Sequence, residues 1–127
     1  MTKITIQADC GNSPKNEFLK AFQMAFAEMD NPKILEMISD DVEWQIVGHN
    51  TIVGKEAFQK AIEGLPEGQV KEVILEKVLS HGKLGAASGK IIMMDGSVFA
   101  FGDMYEFNNT KGTHLRTIQS FNILVKE

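Results

Sequence analysis

The hydrophobic pattern changes its period part-way along the chain, and that change leaves few folds open. In the first half, Phe18, Phe22, Ala25, Phe26 and Met29 follow at steps of four, three, one and three, which draws one apolar stripe down a helix. Ser13-Pro14 starts that helix, because serine can cap it and proline is pre-shaped for the first helical position. Asp30-Asn31-Pro32 ends it and opens a second helix. Ile34, Leu35, Met37 and Ile38 are the expected buried face of that helix, and Ser39-Asp40-Asp41 its stop. Val42 to Val47 then alternates apolar and polar residues and reads as a strand, with Val42, Trp44 and Ile46 on one face. Gly48-His49-Asn50-Thr51 reads as a loop. Gly54 leads into a third helix with Ala57, Phe58, Ala61 and Ile62 as its stripe, and residues 64–68 end it.

From residue 70 onward the pattern is that of strands. Runs over 70–80, 84–94, 97–107 and 115–125 are separated by a His-Gly-Lys turn, an Asp-Gly hairpin signal and a longer loop from Asn108 to Thr113. Residues 1–12 read as a loose lead-in. Ile4 and Ile6 alternate with Thr5 and Gln7, which allows a short strand, and Asp9-Cys10-Gly11-Asn12 interrupts it. Helices first and long strands afterwards predict an α+β domain over 13–127, with three helices packed on one face of a curved, mainly antiparallel sheet.

Composition narrows the function classes. A length of 127 residues suits one domain, and 43 % hydrophobic residues with eight Phe can fill a core. The 13 Lys and Arg against 17 Asp and Glu give a net charge of −4 with no basic block, so no nucleic-acid partner is expected. The single Cys10 allows no internal disulfide and reads as incidental. No apolar run reaches about 18 residues, so no membrane partner is expected. The opening Met-Thr-Lys-Ile-Thr-Ile-Gln lacks the apolar stretch of a signal peptide, and a cytoplasmic location is the expectation.

Several stretches, taken in order, resemble the nuclear transport factor 2-like superfamily. Phe22 to Asp41 resembles its opening of a short helix, Asp-Asp-Val and a Trp strand. Val53-Gly54-Lys55-Glu56-Ala57-Phe58 is similar to its Gly-Lys/Arg-Glu-Ala-Phe helix entry. Gly102 to Phe107 is similar to its Asp-x-x-x-Phe strand, and Ile118-Gln119-Ser120-Phe121 to its closing strand. The resemblance covers about residues 13–125, and within the superfamily it points to the small bacterial SnoaL-like and ketosteroid isomerase-like domains. It implies a cone, in which a bent sheet wraps around helices and leaves a pocket at the open end. It also implies dimers through the outer sheet face. The superfamily spans enzymes, transport proteins and binding domains, so the fold does not assign chemistry.

Asp103 is the most informative position. By period two, Phe101, Asp103, Tyr105 and Phe107 share a face. If that face lines the pocket, one carboxyl stands among aromatics, where desolvation raises its pKa and a neutral acid can donate a hydrogen bond. The resemblance places Asp103 at the position of the isomerase acid. It also places the isomerase base at Ile46 and its tyrosine donor at Phe22, and neither residue can do that work. A one-residue shift to Gln45 or Val47 does not restore a base, so steroid isomerase activity is disfavoured.

His49, just past the Trp44 strand, is the candidate base, against a solvent-exposed loop histidine. His81 and His114 read as exposed, and the three His lack metal-ligand spacing, so no metal is expected. Glu43 and Glu106 alternate with the apolar faces and are expected to point outward. Alternation groups Arg116 with Ile118, Ser120 and Asn122. An Asp103–Arg116 pair would resemble the epoxide-hydrolase members, with Tyr105 and Asn122 to position water, but no second inward acid is visible. Ser120 lacks a Gly-x-Ser-x-Gly context. Gly85-Ala-Ala-Ser-Gly89 is no phosphate loop; its small residues suit close approach by a helix or a bend in the sheet.

The expected pocket is mostly apolar. Phe22, Trp44, Ile46, Phe58, Phe101, Tyr105 and Ile118 are the expected lining, with Ser120 and Asn122 as polar groups. The leading reading is therefore a domain that binds a small hydrophobic molecule without a cofactor. The first alternative is an isomerase, cyclase, hydratase or hydrolase using Asp103 as acid and His49 or water as base. The second is a non-catalytic dimeric interaction module. Val73, Leu75 and Leu79 against Ile74 and Val78 make both faces of one strand apolar, which suits a homodimer through the outer sheet.

Overall fold

The computed structural model describes residues 2–11 and 13–127, so Met1 and Asn12 of the expected lead-in lie outside the described residues. Strand β1 (Lys3–Ile6) precedes helices α1 (Pro14–Ala27) and α2 (Asn31–Glu36). Strands β2 (Ile38–Ile46) and β3 (Thr51–Val53), helix α3 (Lys55–Glu63) and strands β4 (Val70–His81), β5 (Leu84–Met93), β6 (Val98–Phe107) and β7 (Leu115–Lys126) follow. The strands form one sheet in the order β1-β4-β5-β6-β7-β2-β3. All neighbours are antiparallel except β1 with β4 and β2 with β7. The architecture is α+β, three helices on a mainly antiparallel sheet.

Local chemistry explains the element boundaries. Ser13 accepts a hydrogen bond from the Asn16 amide at 3.2 Å, satisfying a donor at the start of α1. Asp30 does the same for Lys33 at the start of α2. Between the two helices Met29 takes φ +56°, a conformation that favours glycine, and the Asp30 amide bonds Ala25 O. The helices lie on the face of the sheet that carries Val73, Leu75, Ala87, Phe101, Tyr105 and Ile118, all buried. Glycines in β5 permit close approach, by α1 at one and by the neighbouring strand β4 at the other. A Cβ on Gly85 would stand 2.7 Å from the Leu19 side chain of α1, and one on Gly89 only 1.9 Å from Ile74 O.

Five expectations are corrected. The lead-in is not loose over Lys3–Ile6: β1 pairs in parallel with β4 through Ile4↔Val73 and Ile6↔Leu75, and the Gln7 amide bonds Leu75 O. Ile38 does not belong to α2, which ends at Glu36; it begins β2 opposite Leu115. The Ser39-Asp40-Asp41 stop is an irregularity inside that strand, where the register shifts between Ile38 and Glu43. Thr51 does not belong to the loop: it opens a short strand, Thr51–Val53, paired with Glu43–Gln45. Arg116 does not share a face with Ile118. The register shifts between Glu106 and Phe107, so Leu115 and Ile118 both face the core, and the intervening Arg116 is exposed. A similar shift between Leu75 and Lys77 turns Leu75 and Val78 to the same side and leaves Leu79 outside.

Candidate functional site

α1, the inward faces of β2, β6 and β7, and parts of β4 and β5 leave a space they do not fill. This cavity has a volume of about 360 Å³. Phe22, Phe26, Trp44, Ile46, Phe101 and Ile118 form much of its wall. Aromatic edges hold that wall in shape: Phe26 meets Trp44 at 5.7 Å between ring centres, and Trp44 rests on Phe58 at 5.0 Å. Met29, Met93 and residues 65–66 and 68–69, between α3 and β4, also border the cavity.

One corner is polar. Asp103 stands beside Ser120 in the register of β6 and β7, and beside Ala87 of β5. Gln23 reaches down from α1 and donates Nε2–H to Asp103 Oδ2 at 2.6 Å, and to Tyr105 Oη. Tyr105 Oη donates to the same Asp103 oxygen at 3.3 Å. The Ser120 hydroxyl bonds the carboxyl too, and itself accepts from Trp44 Nε1 at 3.0 Å. Burial pushes the Asp103 pKa up, against the opposing pull of the bonds from Gln23, Ser120 and Tyr105. Burial, then the nearby Asp103 charge, pushes the Tyr105 phenol well above its ordinary range. Among the described residues lining the cavity, Asp103 alone is acidic or basic.

Solved structures repeat this arrangement of helices on a sheet. A nuclear transport factor 2-like protein of unknown function from Burkholderia xenovorans LB400 superposes with a TM-score of 0.75 at 18 % identity, covering 89 % of this chain and 85 % of that one. A candidate ketosteroid isomerase from Kribbella flavida gives 0.75 at 13 % identity, over 89 % and 80 %. The fold is nuclear transport factor 2-like. A candidate SnoaL-like polyketide cyclase from Shewanella denitrificans gives 0.72 at 11 % identity, over 87 % and 92 %. No protein-family model and no curated protein matches the chain. At these identities the nuclear transport factor 2-like likeness concerns the fold alone.

The structure gathers most of the sequence-derived candidates in one place. Asp103, Phe22, Trp44, Ile46, Phe101, Ile118, Ser120 and Asn122 all border the cavity. Three candidates do not. His49 is exposed in the β2–β3 turn, where its amide bonds Ile46 O, and the hairpin carries it away from the cavity wall. Phe58 is fully buried behind Trp44 and Phe26. Tyr105 is buried outside the wall, and only its hydroxyl reaches the polar corner. Arg116 pairs with Asp41 at 3.4 Å and Glu106 at 4.0 Å on the opposite face, so it forms no Asp103 pair. Gln23 was missed. The available signal was its place three residues before Phe26 and four before Ala27, on the edge of the apolar stripe. No group of three or more His, Cys, Asp or Glu among the described residues is placed to hold a metal ion.

Proposed function

We propose that the chain binds a small hydrophobic molecule in this cavity, with the polar corner at Asp103 receiving a single polar atom of the ligand. The observation that carries the reading is the contrast inside one space. Aromatic and aliphatic side chains form most of its wall, and Gln23, Asp103 and Ser120 come together at one corner. Met29 and Met93 at its border suit ligands of varied shape, because methionine adapts. A fused two-ring hydrocarbon such as 2-isopropylnaphthalene tests this directly. Trp44 is the only tryptophan, and it borders the cavity, so its emission reports occupancy. Saturable quenching is expected in the native chain and its loss in Ala27→Phe, which places a ring in the space. Absence of quenching, or equal quenching in the variant, would reject the cavity as a binding site.

A second reading is catalysis with Asp103 as an acid, favoured by the upward shift of that carboxyl. The candidate isomerase and cyclase among the similar structures belong to the same reading. It ranks second because a reaction of that class needs a base, and the bordering side chains offer no second acidic or basic group.

A further inference from the structure

We propose that Gln23 presents the hydrogen bond to the ligand, and that its amide turns over with the protonation of Asp103, so that the cavity meets a donor when Asp103 is neutral and an acceptor when it is ionised. This rests on the binding reading above and names the chemistry of the same site. The Gln23 amide terminus, Asp103 Oδ2 and Tyr105 Oη form a closed triangle of contacts.

That triangle can be satisfied in two ways. With Asp103 ionised, both Gln23 N–H groups are used, one on Asp103 and one on Tyr105, while the tyrosine hydroxyl donates to the carboxylate. Gln23 Oε1, which has no partner among the described residues, is then the amide atom left for the cavity. With Asp103 neutral, its new O–H needs an acceptor. Turning the amide over supplies one: Oε1 accepts from both Asp103 and Tyr105, within the capacity of its two lone pairs. The amide NH₂ is then left for the cavity.

Asp103 has no donor left for a ligand in that arrangement, because its one O–H is spent on Gln23. The groups around the pair make the switch clean. α1 contributes Gln23, β7 contributes Ser120 and β5 contributes Ala87, none of which titrates. β6 contributes Tyr105, which stays neutral because its pKa is pushed well up. Elsewhere Lys20 pairs with Glu17, Lys90 with Glu76, and Arg116 with Asp41. The ligand favoured below the Asp103 pKa is therefore a neutral molecule with a hydrogen-bond acceptor, such as a ketone.

Two measurements on the full chain test this. In the first, nuclear Overhauser contacts from the Gln23 amide protons to the Tyr105 ring are followed from about pH 4 to about pH 9. They are expected above the Asp103 transition and lost below it. Contacts that stay the same across the transition overturn the proposal, with or without a ligand. In the second, 2-acetylnaphthalene and 2-isopropylnaphthalene are compared by Trp44 quenching. The ketone is expected to bind roughly fivefold better relative to the hydrocarbon below the transition than above it, as one net hydrogen bond would give. Gln23→Leu is expected to remove the preference for the ketone over the hydrocarbon at every pH. Asp103→Asn supplies an N–H that donates to Gln23 Oε1, so the preference is expected to persist and lose its pH dependence. A ketone preference that survives Gln23→Leu, or vanishes in Asp103→Asn, would overturn the assignment. Failure of the hydrocarbon itself counts against the cavity reading, and the amide contacts then decide this proposal independently.

Discussion

Asp103 ties the stability of the fold to pH. Burial raises its folded pKa above the value it has in the unfolded chain, where it is an ordinary carboxyl. The folded state therefore holds the proton more tightly. That contribution is fully present below the unfolded pKa and is lost as pH rises through the raised folded value. Asp103→Asn removes the titration and keeps the shape. Its melting temperature is expected to match the native chain in acid and to exceed it at about pH 8. The gain is on the order of 1 kcal/mol, since the side chain also borders an open cavity. Thermal melts at both pH values check this, and a difference independent of pH would refute it. The opposite change in tyrosine chemistry is not expected, because Tyr105 stays protonated across that range.

α3 serves the cavity from behind. Its Phe58 is fully buried and stacks on Trp44 at 5.0 Å and against Phe26 at 6.3 Å. It therefore holds two wall residues without meeting a ligand. Phe58→Ala should cost about 3–5 kcal/mol, because α3 and β2 cannot close the space left by a ring in the core. Urea unfolding gives the cost. The emission of Trp44 should shift to the red in the folded variant as its support is lost. A loss below about 1 kcal/mol would mean that the elements collapse onto the gap and that the buttress is dispensable.

The outer face of the sheet is where the whole molecule meets its surroundings. Met104 is 50 % exposed, Leu79 59 % and Ile123 65 %. Cross-strand pairing sets Leu79, Ala86 and Met104 in one row, with Phe121 and Ile123 on the neighbouring strand. An open apolar patch of this kind suits a second copy, which can cover it with an identical patch around a two-fold axis. We propose a homodimer there. Light scattering should give twice the 14.1 kDa chain mass for the native protein and one chain mass for Ile123→Lys, and the melting temperature should depend on concentration only in the former. A native monomer would remove the proposal. No helix among the described residues is long and apolar enough to cross a membrane.

Much of this was legible one residue at a time. Side-chain alternation is a property of the extended backbone, so the shared face of Phe101, Asp103, Tyr105 and Phe107 followed from their spacing, as did the four long strands and the stripe of α1. Each such inference needs only neighbours within a few positions. What failed needed neighbours far away. Arg116 left its expected face because β7 must stay in register with both β6 and β2, and one extra residue absorbs the mismatch. β1 and β3 are strands because partners across the sheet complete their hydrogen bonds, not because four or three residues prefer to be extended. Gln23 meets Asp103 across 80 positions of sequence, and no local pattern carries that distance. Periodicity chose which side chains face inward; folding chose which inward groups touch, because contact depends on register, crossing and closure that no short stretch of chain contains.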